Sequence, residues 1–188
     1  MKIAETYSHM NGGEYLSLRK PEIYAEIRKT IADVDSRPNA FSGTFRKSFD
    51  EKGWKASRCF CYGCKDNLQD VAGLSLSEQR RYLERTGARN LIKSSMKMGF
   101  VKDRVAIEMP LRKSLGARSN TFLKQLLFYS DDIIDVGVEI LPVKAMTEDP
   151  NGGRLMSTDI AYEDEIANIL RHGRNNPPVP LFIIGISP

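Results

Sequence analysis

KDRVAIEMPLRKSLGARSNTFLKQLLFYSDDIIDVGVEILP, residues 102–142, decides how this chain reads. Val105-Ala106-Ile107 is a short apolar run that ends on one carboxylate, Glu108. A basic, glycine-containing segment follows, with Arg112, Lys113 and Arg118. Phe122, Leu123, Leu126 and Leu127 then recur at spacings of three and four, the period of a helix with one apolar face. Residues 133–141 form a second apolar run, rich in β-branched residues and stopped by Pro142. Strand, basic loop, helix, strand is an α/β unit. It sets a lone acid and several cations at the end of a buried strand.

On the N-terminal side, residues 2–7 read as a short strand and Asn11-Gly12-Gly13 as a turn. Pro21 opens a helix over 21–34, with Ile23, Ile27, Ile31 and Val34 on one face. A short helix over 45–52, ended by Gly53, precedes an extended stretch over 54–62. Ser75-Leu76-Ser77-Glu78 matches a capping box and opens a polar, peripheral helix that stops at Gly87. Residues 90–99 read as a polar connection into the central unit. Beyond Pro142, residues 144–156 are a turn-rich loop, 157–171 turn helical in their later part, and 179–186 are a last apolar strand. The expectation is one α/β domain over residues 1–188 with a mixed sheet.

The bulk numbers fit a globular protein: 41% apolar and 28% charged residues in 188. No apolar run approaches the roughly 20 residues that span a bilayer, so no membrane partner is expected. The first residues, MKIAETYSHM, carry no long apolar stretch of the secretory kind. Three cysteines cannot all pair within one chain, which favours a reducing, cytoplasmic setting. Net charge is +4. Between residues 102 and 124 lie six basic residues and two acids, an excess equal to that of the whole chain. Such a concentration beside a buried strand suits a polyanion such as nucleic acid, and the alternative is a solvated loop and helix face.

Cys59, Cys61 and Cys64 form C-x-C-x-x-C. Thiolates at that spacing can share a zinc ion if His9, His172 or a carboxylate supplies a fourth ligand. The alternative is three free thiols at a strand end and turn.

The blocks MKIAETYSHMNGGEYL, EKGWKASR, FVKDRVAIE, LLFYSDDIIDVGVEILPVK and LRHGRNNPPVPLFIIGISP occur in this order along nearly the whole chain. In these blocks the sequence resembles the BglII/BstYI branch of the type II restriction endonucleases. The resemblance implies a restriction-endonuclease-like fold of the PD-(D/E)xK type, with a central mixed sheet flanked by helices. It implies a homodimer that embraces double-stranded DNA, reads a short palindrome and cuts both strands with Mg²⁺. A two-fold protein on a two-fold site places one active site on each strand.

In that family an Asp lies nine residues before a Glu, and a Glu or Gln follows two residues after it. Here the matching Glu is Glu108, the implied catalytic and metal-binding residue, but Gly99 and Pro110 stand at the other two positions. One carboxylate holds Mg²⁺ weakly, because this ion keeps its waters unless several anionic oxygens converge. Asp103 is an odd number of residues from Glu108 and faces away in a regular strand, whereas Asp131, Asp132 and Asp135 could join only through the fold. The family's base-reading loops correspond to Arg112, Lys113 and Arg118 and to Ser157 and Thr158, the implied DNA contacts. Two readings stand side by side: a nuclease with a rearranged metal site, and a DNA-binding descendant that has lost cleavage. A zinc-stabilised interaction module is the third.

Overall fold

The computed structural model describes residues 1–34, 41–63, 69–71, 74–88, 91–109, 117–147, 160–173 and 176–188. The chain runs β1 (Lys2–His9), α1 (Gly12–Arg19), α2 (Pro21–Asp33), α3 (Phe41–Glu51), β2 (Lys55–Gly63), a 3-10 turn (Gln69–Val71), and α4 (Leu76–Arg85). It continues with β3 (Ile92–Lys102), β4 (Val105–Glu108), α5 (Ala117–Ser130), β5 (Val136–Pro142), α6 (Lys144–Thr147), α7 (Tyr162–His172) and β6 (Leu181–Ser187). The six strands form one mixed sheet in the order β1-β6-β5-β4-β3-β2. Pairs β4–β5 and β5–β6 are parallel, and the other three are antiparallel.

The centre of the sheet is the part with the most continuous apolar sequence. All seven residues of β5 are buried, as are the first six of β6. Such runs are expected of parallel strands covered on both faces. Ile107, Phe182 and Ile184 look toward α1, α2 and α3, where Phe49 packs on Trp54 and Phe100 and Tyr24 packs on Phe182. Gly137 and Gly185 look the other way: a Cβ there would strike Gln125 of α5 and Tyr162 of α7. Helices therefore cover both faces.

Two expectations are corrected. Residues 12–19 form α1 rather than part of a turn, with Met10 and Asn11 carrying the left-handed backbone that turns the chain. Residues 92–99 belong to a long strand, not a polar connection. Its first four residues, Ile92 to Ser95, are exposed, so the strand lacks the apolar signal of a buried one. It exists because β2 pairs with it from Lys55↔Val101 to Gly63↔Ile92, with an irregularity near Gly99. Asp103 and Arg104, both with positive φ, close the two-residue hairpin into β4, a turn whose twist suits the strands it joins. No described helix is long and apolar enough to cross a membrane.

Candidate functional site

Glu108 is the last residue of β4, next to Glu139 of β5 in the parallel pairing and within side-chain reach of Gly99 of β3. Its carboxylate is already engaged. Oε1 accepts the Gly99 N–H at 3.1 Å, and Oε2 lies 3.3 Å from Lys124 Nζ, delivered by α5. The Glu108 side chain is 12% exposed and that of Lys124 26%, so this ion pair is largely withdrawn from solvent.

The neighbour that the fold brings to Glu108 is Glu139. Residues directly paired on adjacent strands share a face, and here that face is the one α5 and α7 cover. Glu139 is fully buried, and among the described residues neither carboxyl oxygen has a hydrogen-bond partner. Burial pushes its carboxyl well above the usual range, and the nearby carboxyls of Glu165 and Glu108 push it further. Glu165 is itself buried, on α7. Beside this pair lies Gln125 of α5, fully buried with both amide atoms unpartnered. The sequence offered one signal for this cluster: an acid in the middle of the apolar run Val136-Gly137-Val138-Glu139-Ile140-Leu141.

The other expected site residues are distributed differently. Arg112, Lys113, Ser157, Thr158 and Pro110 lie outside the described residues. Arg118 falls in the first turn of α5, with its side chain outside the described part. The basic concentration does not form a free cationic face among the described residues. Lys102 bonds to both oxygens of Glu26, at 2.9 and 2.8 Å, and to the Lys52 carbonyl. Arg104 bonds to Asp132 and Asp135, and Lys124 to Glu108. Of the described cations of this stretch, Lys102 and Arg104 are thus paired with acids of other segments, and Lys124 with Glu108 of the stretch itself.

None of the aspartates considered as replacements reaches Glu108. Asp103 sits in the β3–β4 turn, and its carbonyl accepts from Lys20. Burial alone would raise the Asp135 carboxyl, but hydrogen bonds from Arg104, Tyr15 and Lys20 outweigh it and hold it below the usual range. Cys59 is buried and Cys61 half-buried, both as free thiols, while Cys64 lies outside the described residues. His9 is spent on the Pro177 carbonyl at 2.8 Å. Among the described residues no group of three or more His, Cys, Asp or Glu side chains is arranged to hold a metal.

That geometry tests the Mg²⁺ expectation, and the described residues do not fit it. The ion requires near-octahedral oxygen ligands at about 2.1 Å and sheds its waters reluctantly. Glu108 offers one carboxylate, shared between an amide and an ammonium. Gly99 has no ligand atom in its side chain. Glu139 is adjacent, but its surroundings favour the protonated form, which is a poor ligand.

The family model for restriction endonuclease BglII/BglIII matches residues 4–186. No curated protein sequence matches. Among solved structures, free BglII is similar over the whole chain and 80% of its own, with a TM-score of 0.59 at 16% identity. BglII complexed with a DNA 16-mer is similar over the whole chain and 79% of its own, with a TM-score of 0.64 at 14% identity. Those likenesses show the fold, and the mixed sheet with its flanking helices agrees with it. The chain belongs to the BglII/BglIII family of restriction endonucleases.

Proposed function

We propose that this protein binds double-stranded DNA as a homodimer and that Glu108, as it is held here, does not support cleavage of the family's Mg²⁺-dependent kind. The observation that carries the reading is the engagement of Glu108 by the Gly99 N–H and Lys124 in a site where Gly99 stands at the family's Asp position. An ammonium beside the carboxylate supplies the positive charge that an ion would otherwise bring. DNA binding draws support from membership of the family and from the DNA-bound state of one solved relative. Contacts from Arg112, Lys113 and Arg118 to phosphates and guanine edges, and from Ser157 and Thr158 to bases, belong to this reading.

A second reading is an active endonuclease in which Glu139 stands as a second carboxylate beside Glu108, favoured by their direct pairing across β4 and β5. One experiment separates the two. Purified protein and its Glu108→Ala variant are assayed for plasmid cleavage with Mg²⁺ or Mn²⁺, and for binding of the same DNA in EDTA. Binding without cutting, unchanged in the variant, is the expected result. Metal-dependent cutting that the variant loses would establish the second reading instead.

A further inference from the structure

We propose that the outer face of the β2–β3 ribbon, carrying Arg58, Lys93 and Lys97, holds phosphates of duplex DNA at a place separate from Glu108. The proposal rests on the DNA-binding reading above and names a surface for it. Beyond the irregularity near Gly99, residues 92–98 pair only with β2, because β4 pairs no further than Phe100. What remains is a two-stranded antiparallel ribbon at the end of the sheet. Its inner face is fixed by Cys59, Met96 and Met98, which pack with Ala106, Phe128 and Ile134. Its outer face carries Arg58, Phe60 and Tyr62 opposite Lys97, Ser95 and Lys93, with Tyr62 at one end packed against Val71 and Leu83.

Four features point to a polyanion. Residues 55–63 and 92–98 contain Lys55, Arg58, Lys93 and Lys97 and no acid at all. Arg58 and Lys97 are direct cross-strand partners, a like-charge pairing that weakens a sheet unless an anion lies over it. Arg58, Lys93 and Lys97 are exposed, and among the described residues none has an ion pair, in contrast to Lys102, Arg104 and Lys124. Arg58 is steadied by Ser95 at 3.0 Å, and Lys93 Nζ lies over the rings of Phe60 and Tyr62 at 4.6 and 5.7 Å. An aromatic bed orders an ammonium without neutralising it.

The acids that line the adjoining groove with Arg58 are Glu78, Asp131 and Asp132. Glu78 is bonded to Ser75, and Asp132 to Arg104. Lys93 and Lys97 are four residues apart on one strand, about 13 Å. That span is close to the roughly 12 Å width of the major groove, so one ribbon face can meet phosphates on both of its edges.

The test uses the full chain and a fluorescein-labelled duplex in EDTA, with anisotropy read across roughly 50–200 mM salt. Arg58→Gln, Lys93→Gln and Lys97→Gln are combined, and Lys93→Arg with Lys97→Arg serves as the charge-keeping control. The triple variant should bind on the order of a hundredfold more weakly near 0.1 M salt, and its log–log salt slope should be shallower by roughly 2 to 3. The control should match the wild type, and thermal unfolding should show the triple variant as stable, since a repulsive pair is gone. If the triple variant is unfolded, Lys97→Gln alone decides, with an expected loss of about one in slope. Wild-type binding with unchanged affinity and slope in the folded variants would overturn the ribbon proposal and leave the DNA reading standing. No binding of duplex by the wild type would overturn both.

Discussion

Burial and two neighbouring carboxyls raise Glu139 well above the ordinary glutamate range. In the unfolded chain its carboxyl titrates near the ordinary value of about 4.3. In the folded chain burial, Glu165 and Glu108 raise it, so above that value the native state binds more protons than the unfolded one. Stability must then fall as pH rises toward the folded titration point. Glu139→Gln keeps the shape and cannot ionise, so it should be more stable than wild type at pH 8 by about 1 kcal/mol or more, with a smaller gap at pH 5. Urea denaturation at both pH values checks this, and an equal gap at both would show that Glu139 holds no proton. Gly99 makes the complementary case. A Cβ there would meet nothing within 4 Å and the backbone is not left-handed, so Gly99→Asp fits and sets a second carboxylate beside Glu108. Mn²⁺ binding, followed by electron paramagnetic resonance, should tighten at least about tenfold over wild type. The resemblance singled out Glu108 and Gly99 from the sequence, and their contact is local because both lie in one hairpin. Glu139 was not, because its pairing with Glu108 crosses from one strand to a parallel neighbour.

At the level of elements, local signals were read well where one segment carries its own evidence. The capping box at Ser75 forms, with the Ser75 N–H donating to Glu78 at 2.9 Å, and the helix ends at Arg85. Pro21 stands at the start of α2, whose Ile23, Ile27 and Ile31 are buried. The α1 helix escaped notice because its two leading glycines signal a turn. Their real role is close approach: a Cβ on Gly12 would lie 2.5 Å from the Leu181 backbone. Gly12→Ala should therefore push α1 off β6 and destabilise by about 1–3 kcal/mol. Gly43 is also helical, yet a Cβ there meets nothing within 4 Å. Gly43→Ala should be neutral or stabilise by up to about 1 kcal/mol, so parallel thermal unfolding of the two variants separates a packing glycine from a dispensable one.

For the whole molecule, chain order and spatial order part company. β6 is the last strand in sequence but lies between β1 and β5, and its first six residues are buried. A chain ending at residue 180 should lack any cooperative thermal transition, because both neighbours of the missing strand would expose unpaired edges. The same topology explains what a linear reading can reach. Apolar periodicity, caps, the α/β class and the family are properties of neighbouring residues or of residue order, and the sequence alone determined them. Which charges remain free is set by long-range partners: Glu26 finds Lys102 across 76 residues, and Asp135 finds Arg104 across 31. Only the tertiary structure decided that Lys102, Arg104 and Lys124 are each paired with an acid, that Glu139 lies beside Glu108, and that Arg58, Lys93 and Lys97 have no ion pair among the described residues. Electrostatic energy depends on separation in space, and the fold brings together groups that the chain keeps far apart.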